Sequence, residues 1–459
     1  MKSLFALFIS ICFCSSLFCQ QKEIPPRPYE ELAQNIIRAG LDSGKAYSFL
    51  TELCVKIGAR LSGSPQAVRA VEWGKSTMEK LGFENVHLES VMVPHWKRGK
   101  EQAYIIDGKK KNPLTVCALG GSIPTEKNGI TAEVIEVQSR EELQKLGESA
   151  KVKIIFFNQP MDRKKIGTFE AYGGAVWQRW AGAMEAAKRG AVAAIVRSMT
   201  TRIDDVPHTG SMGYDDTIPK IPAAAISTVD ANELSKQLAK NKNVKIHLLL
   251  SCETLPEVVS ANVVGEITGS EKPNEIIVVG GHLDSWDKGH GAHDDGAGIA
   301  HTLETLRLLR ELGIRPKRTI RAVLFMNEEN GGRGGKGYAE RVRPDEKHLA
   351  AIETDAGGFS PRGFGIGADS AIVEKLSRWS YLLEPIDAGK IRRGGGGADI
   401  AELGKQGVVT IGMRVDSQRY FDYHHSDNDT IDKVNERELE LGAIALAIFS
   451  YVLAEEWLQ

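Results

Sequence analysis

Apolar and polar positions along the 459-residue chain fall into three textures. Residues 28 to 57 repeat apolar side chains at helical spacing, Leu32, Ile36, Ile37 and Leu41, then Phe49, Leu50, Leu53 and Val55, which predicts two helices. GARLSGSPQ at 58–66 breaks that pattern, a third helical stretch runs to about Leu81, and VHLESVMVPHW alternates as a strand does. From about 128 to 255 the short β-like runs ITAEVIEV, KVKIIFFN and AVAAIVRS are interleaved with the small-residue helix AGAMEAAKRG and with IPAAAISTVDANELSKQL. From ANVVGEITG (261–269) onward the rhythm is α/β. Strands EIIVVGGH, TIRAVLFMN, AAIETD and GVVTIGM accompany the helix AGIAHTLETLRLLREL, and a closing helix starts near Glu436. EIIVVGG and TIRAVLFMN are almost unbroken apolar runs, as expected of strands covered on both faces. Ile299, Leu303, Leu306 and Leu309 predict one buried helical stripe.

The fold class this predicts is α/β, a mixed, mostly parallel sheet with helices on both faces and an inserted β-rich module. We divide the chain into a signal peptide (1–19), an N-terminal part of the main domain (20–127), the insert (128–258) and the catalytic part (259–459). The first segment reads Met1-Lys2, an apolar run and then polar QQKEIPPRP, the layout of a cleaved secretory signal. A membrane anchor is the competing reading, but the run is short and no second apolar stretch of spanning length follows. A secreted or periplasmic location is therefore expected, with no membrane span; lipidation at Cys14 or Cys19 fits the flanking residues poorly.

Charge narrows the partners. Lys plus Arg total 58 against 60 for Asp plus Glu, which offers no field for nucleic acid or an anionic membrane and leaves small molecules or peptides. Beyond the signal only Cys54, Cys117 and Cys252 remain. They form no disulfide framework and no thiolate metal motif, and they read as buried small hydrophobes, with one bridge allowed.

Candidate chemistry gathers where these strands end. EIIVVGG leads to His282 and Asp284, AVLFMN to Glu328 and Glu329, AAIET to Asp355, and the segment after GVVTIGM to His424 and His425. Asp294 and Asp295 lie between the first strand and its helix. Singly, each has an ordinary explanation, since an Asp before a helix caps it and a Glu pair is usually solvated surface. Four strand ends doing the same is another matter, because the carboxyl ends of strands in open α/β sheets converge on one crevice. Imidazole and carboxylate suit Zn²⁺, and two imidazoles with three carboxylates can hold two ions if one carboxylate bridges them. Paired ions point to hydrolysis.

The motifs HLD (282–284), DDGAG (294–298), NEE (327–329), TDAG (354–357) and HSDNDT (425–430) resemble those of the co-catalytic di-zinc exopeptidases, which include bacterial leucyl aminopeptidases and glutamate carboxypeptidase. The insert is similar to the protease-associated domain found in several exopeptidases. The resemblance implies two Zn²⁺ per chain, one held by His282 and Asp355 and the other by Glu329 and His425, with Asp294 bridging. It implies that Asp284 orients His282 through its ring N–H. Glu328 would be the general base that takes a proton from the attacking water and returns it to the leaving amine. Gly289, Gly291, Gly296 and Gly298 would let the backbone bring Asp294 to both ions, and the Asp294–Asp295 peptide would be cis.

Other positions stay open on the sequence. Of the adjacent His424 and His425 only one can be a ligand; the motif favours His425, leaving His424 to face the substrate or cap its loop. His290 and His293 match no ligand position. Trp286 either packs its loop or lines the mouth. The glycine run 394–397 with Asp399 resembles a substrate-side loop. The function implied is a peptidase for small peptides, dipeptides with free termini above all, with an aminopeptidase as the close alternative. A single-zinc glutaminyl cyclase and a non-catalytic binding protein are the readings from other classes. The resemblance also suggests a homodimer.

Overall fold

A computed structural model describes residues 27–458. The expected signal peptide lies outside those residues. Among the described residues no helix is long and apolar enough to cross a membrane.

Two eight-stranded sheets organise the chain. In the first, strands Arg318–Phe325, Lys272–His282, Lys347–Glu353 and Val409–Val415 lie side by side and parallel. Glu84–Lys97 and Glu253–Ile267 extend one edge in antiparallel pairing, and Pro361–Gly367 with Lys390–Arg393 extend the other. Alternate residues serve two cores. Ile277 and Val279 pack with Leu303 and Ile444, while Ile276 and Val278 pack with Tyr338 and Leu403 on the opposite face. That two-sided burial is why these strands read as continuous apolar runs.

Helix Ala297–Glu311 departs from its expected single stripe, because every residue from Ala297 to Leu309 is buried. It is wedged between the sheet, the first helices and the closing helix Glu436–Glu456, so even its polar residues must find internal partners. His301 Nδ1 lies 2.9 Å from Thr354 Oγ1, and Arg307 donates to Glu304 at 2.6 and 2.7 Å. Asn435 caps the closing helix by accepting from the Glu438 amide at 3.0 Å.

The second sheet runs from Glu101 to Leu250, so it begins well before the expected boundary at 128. Glu101–Asp107 and Lys110–Leu114 form a hairpin through the polar DGKK turn, and Glu101 to Ile106 then pair with Lys245 to Leu250. At the far end of the insert, Glu253–Ile267 already belongs to the first sheet and pairs with Glu84–Lys97. The module is not purely β, since helices such as Thr228–Lys240 and Gly182–Ala187 flank it. Cys54, Cys117 and Cys252 are free and buried.

Candidate metal centre

The four parallel strands of the first sheet bring the candidate ligands to one end. Lys272–His282 finishes on His282, whose amide donates to Asp295 Oδ2 at 3.0 Å. A β-carbon at Gly281 would lie 2.2 Å from that same oxygen, so only glycine lets the carboxylate fold back onto the strand. Asp295 Oδ1 also accepts from the Gly298 amide at 3.0 Å, which starts helix Ala297–Glu311. Asp295 is thus the capping residue, and its neighbour Asp294 is free to face the centre. The peptide bond between them is cis, and Gly289 and Gly291 in the preceding loop take positive φ.

Asp294 sits in the middle. Its Oδ1 is 3.2 Å from His282 Nε2 and its Oδ2 is 3.2 Å from His425 Nε2. Asp355 Oδ1 is 3.8 Å from His282 Nε2, and Glu329 Oε2 is 3.1 Å from His425 Nε2. Among the described residues, two ligand triads lie within 4.8 Å internally: His282 with Asp294 and Asp355, and Asp294 with His424 and His425. Both contain Asp294. Glu329 is in neither triad but joins them through its 3.1 Å contact with His425, so the five expected ligands lie around Asp294; the buried Asp294 Oδ2, although 3.2 Å from His425 Nε2, makes no well-aligned hydrogen bond and keeps a lone pair that a cation would take. Hard and borderline donors of this kind, imidazole with carboxylate, fit divalent zinc.

The protein's own charges are strained in the way such a site requires. Burial works against a charged imidazole, yet Glu329 and Asp294 raise His425 to about 9. Burial, with Asp294 adding to it, pushes Glu329 up to about 7, and burial with Asp294 pushes Asp355 up to about 6. Glu328 is raised well above the usual carboxylate range, by burial first and then by Asp355 and Glu329 despite the opposing His282. A crowd of buried acids that resists full ionisation without added positive charge is the electrostatic signature of a cation site.

Glu328 belongs to neither ligand triad. Its amide, like that of Asn327, donates to Asp284 Oδ1, at 3.1 and 2.7 Å. Asp284 meets the ring of His282 through its backbone. His282 Nδ1 is 3.0 Å from the Asp284 backbone carbonyl and 3.9 Å from its carboxylate, so the carbonyl orients the ring and the carboxylate holds the turn bearing Glu328.

His425 has φ +60°, a left-handed conformation, and this turns it toward Glu329 while His424 lines the cavity with its ring stacked at 3.5 Å. His424 Nε2 is 3.7 Å from Asp294 Oδ2. His293 packs beside Phe359 and Tyr423, at 4.2 and 5.2 Å, with Nε2 3.4 Å from the Lys433 carbonyl, and belongs to neither ligand triad. Trp286 is buried in the module's core, against Gly120, and its amide donates to Glu329 Oε1 at 3.1 Å. Asp399 is not on the cavity wall. The glycine run lets its loop press onto Glu353, where a β-carbon on Gly397 would be 1.7 Å from Oε1, and Asp399 is buried with both carboxylate oxygens unpartnered.

Two residues escaped the sequence reading. Asp429 straps the Asp294 turn by accepting from the amides of His293 at 2.7 Å and Asp294 at 3.1 Å; its place in HSDNDT was the available signal. Arg179, from the second sheet's module, is buried and lines the catalytic cavity, with Nη1 3.3 Å from His425 Nδ1. A β-carbon at Gly210 would collide with it at 2.4 Å. Among the described residues no carboxylate lies in ion-pairing range of Arg179, and its Nε is buried without a partner. Nothing in VWQRWAG marked it. The cavity holds about 690 Å³, and Phe169, Tyr172 and Trp180 of the same module form its outer wall.

Comparison with known proteins agrees with this geometry. The model of peptidase family M28 matches residues 262–450. Carboxypeptidase Q of Mus musculus is 39% identical over 431 residues, covering 93% of this chain and 90% of that protein. The crystal structure of a peptidase M28 precursor from Shewanella amazonensis superposes with a TM-score of 0.89 at 37% identity, over 93% of this chain and 97% of that one. A zinc aminopeptidase from Bacillus subtilis shares the fold, with a TM-score of 0.66 at 20% identity over 90% and 95% of the two chains.

Proposed function

The chain belongs to peptidase family M28, and from that premise we propose that it is an exported di-zinc exopeptidase that cleaves small peptides, dipeptides among them, whose free carboxylate is anchored by Arg179. His282 and Asp355 would hold one ion, Glu329 and His425 the other, and Asp294 both. Ions held there would supply an acidified water and positive charge for the oxygen of the scissile carbonyl. The rest falls to the protein. Glu328, raised by burial and kept from the ions by the Asp284 brace, is placed to take the proton of the attacking water and hand it to the departing amine. His424, on the cavity wall, is placed to contact substrate. Phe169, Tyr172 and Trp180 exclude water from the outer side, in keeping with a lid role for the protease-associated-like module. The signal-like layout of residues 1–19 supports export.

The observation that carries the polarity is Arg179. A buried guanidinium without an anion is costly, and an arginine fork matches a carboxylate in geometry as well as in charge. A substrate carboxylate entering the cavity would supply the missing partner. The test is Arg179→Met assayed on a dipeptide and on its C-terminal amide. Loss of a charge-assisted contact of this kind is expected to cut kcat/KM for the free acid by about 100-fold more than for the amide, which shares only the loss of the Arg179 contact to His425. Equal losses on both substrates would defeat the assignment.

A further inference from the structure

The segment GARLSGS, which the hydrophobic pattern marks only as a break between helices, places two polar side chains against the catalytic centre. Arg60 is fully buried. Its Nε donates to the Leu283 carbonyl at 2.6 Å, Nη1 to His290 at 2.8 Å and Nη2 to Gly291 at 3.1 Å, and its own amide donates to Ser285 Oγ at 3.2 Å. One guanidinium thus spans both ends of the loop that runs from the first ligand, His282, to the turn that carries Asp294. Among the described residues no carboxylate pairs with it, so the cation is spent on backbone carbonyls alone.

Two residues on, Ser62 reaches the other half of the machinery. Ser62 Oγ accepts from Asn327 Nδ2 at 2.8 Å and donates to Asn330 Oδ1 at 2.7 Å. Asn327 has φ +77°, a left-handed conformation that Asn tolerates better than most residues and that needs holding. Asn327 immediately precedes Glu328, and the Asp284 brace already fixes both amides from the opposite side.

We propose that Arg60 and Ser62 are positioning residues for hydrolysis, Arg60 tying down the loop between His282 and Asp294 and Ser62 locking the turn that aims Glu328. The proposal rests on the hydrolase reading above. A planar fork serving three carbonyls is a task lysine cannot repeat, because its single ammonium lacks the span.

The two limbs should fail differently. In Arg60→Lys the charge remains but the fork is lost. Amide exchange across residues 283–291 should quicken, and zinc should be stripped by a competing chelator at about 10-fold lower chelator concentration, as is common when groups supporting metal ligands are removed. In Ser62→Ala zinc retention should match the wild type, while kcat per bound zinc falls about 10-fold with KM unchanged, since only the aim of the base is disturbed. General destabilisation would instead lower the melting temperature and leave kcat per bound zinc intact. Exchange and zinc retention require no substrate, so they report on the clamp even if the wild type proves not to hydrolyse peptides. Wild-type exchange and zinc retention in Arg60→Lys would overturn the first limb, and unaltered kcat in Ser62→Ala would overturn the second. Should Arg60→Lys not fold, Ser62→Ala still decides its own limb, and exchange in Arg60→Gln decides the other.

Discussion

Each of the two sheets contains four adjacent parallel strands, yet their carboxyl ends behave oppositely. In the module sheet, strands Ile154–Phe157, Ala193–Arg197 and Ala223–Ile226 lead into Asn158, Arg197, Ser198 and Ser227, and these groups turn to one another or to the backbone, with only the Nε of Arg197 among them left without a partner. Arg197 donates to Asn158 at 3.2 Å, Ser198 Oγ donates to the Ile226 carbonyl at 2.7 Å, and Ser227 caps helix Thr228–Lys240 at 3.1 Å. In the first sheet the corresponding ends leave imidazoles and carboxylates crowded onto a shared space around Asp294, whose Oδ2 makes no well-aligned hydrogen bond. Parallel topology supplies the place for a site, and side chains left unsatisfied by the fold make it one. The module instead contributes its wall and its buried cation, Arg179, to the other sheet's crevice.

The sharpest way to break this contrast is at Glu328. Glu328→Gln removes the proposed base without removing a proposed ligand, so activity should fall about 100- to 10,000-fold while zinc content, measured by elemental analysis, stays near wild type. Loss of zinc along with activity would make Glu328 a ligand. A smaller effect separates the adjacent histidines: His425→Ala should lose zinc during dialysis against chelator well before His424→Ala does, by about 10-fold or more in affinity. The reverse order would exchange their roles.

The smallest effect concerns an acid buried in the scaffold, away from the centre. Burial, followed by Glu304, pushes Glu440 from 4.5 up to about 7. The folded state therefore favours its neutral form. That contribution is complete below pH 4.5 and is lost as pH rises toward 7, above which ionisation is a cost. Glu440→Gln keeps an acceptor for the Tyr47 amide, and it should stabilise the protein by about 1–2 kcal/mol at pH 8 with little change at pH 4.5, read from thermal melts. An equal gain at both values would mean that burial of this carboxyl is not what raises it.

The proposed ligands could be picked out because they lie at or beyond the ends of strands whose apolar runs are visible locally, and because imidazole and carboxylate are rare companions at so many strand ends. What was hidden depends on contacts distant along the chain. The pairing of Glu101 to Ile106 with Lys245 to Leu250 closes a long loop, and the polar hairpin between 107 and 110 carries no apolar alternation that would announce it. Arg179 lies on a short helix with no ligand-type neighbours, and only the fold brings it to His425. Asp399 misled for a related reason. A glycine run reads as a flexible loop, whereas here missing β-carbons let the loop pack tightly and carry the acid inward.

The central claim, a centre in which Asp294 serves two cations, is tested most directly by counting metal in the purified protein after zinc loading and desalting. The account predicts two zinc ions per chain in the wild type and a marked loss in Asp294→Asn. One ion per chain in the wild type, unchanged by that substitution, would contradict it.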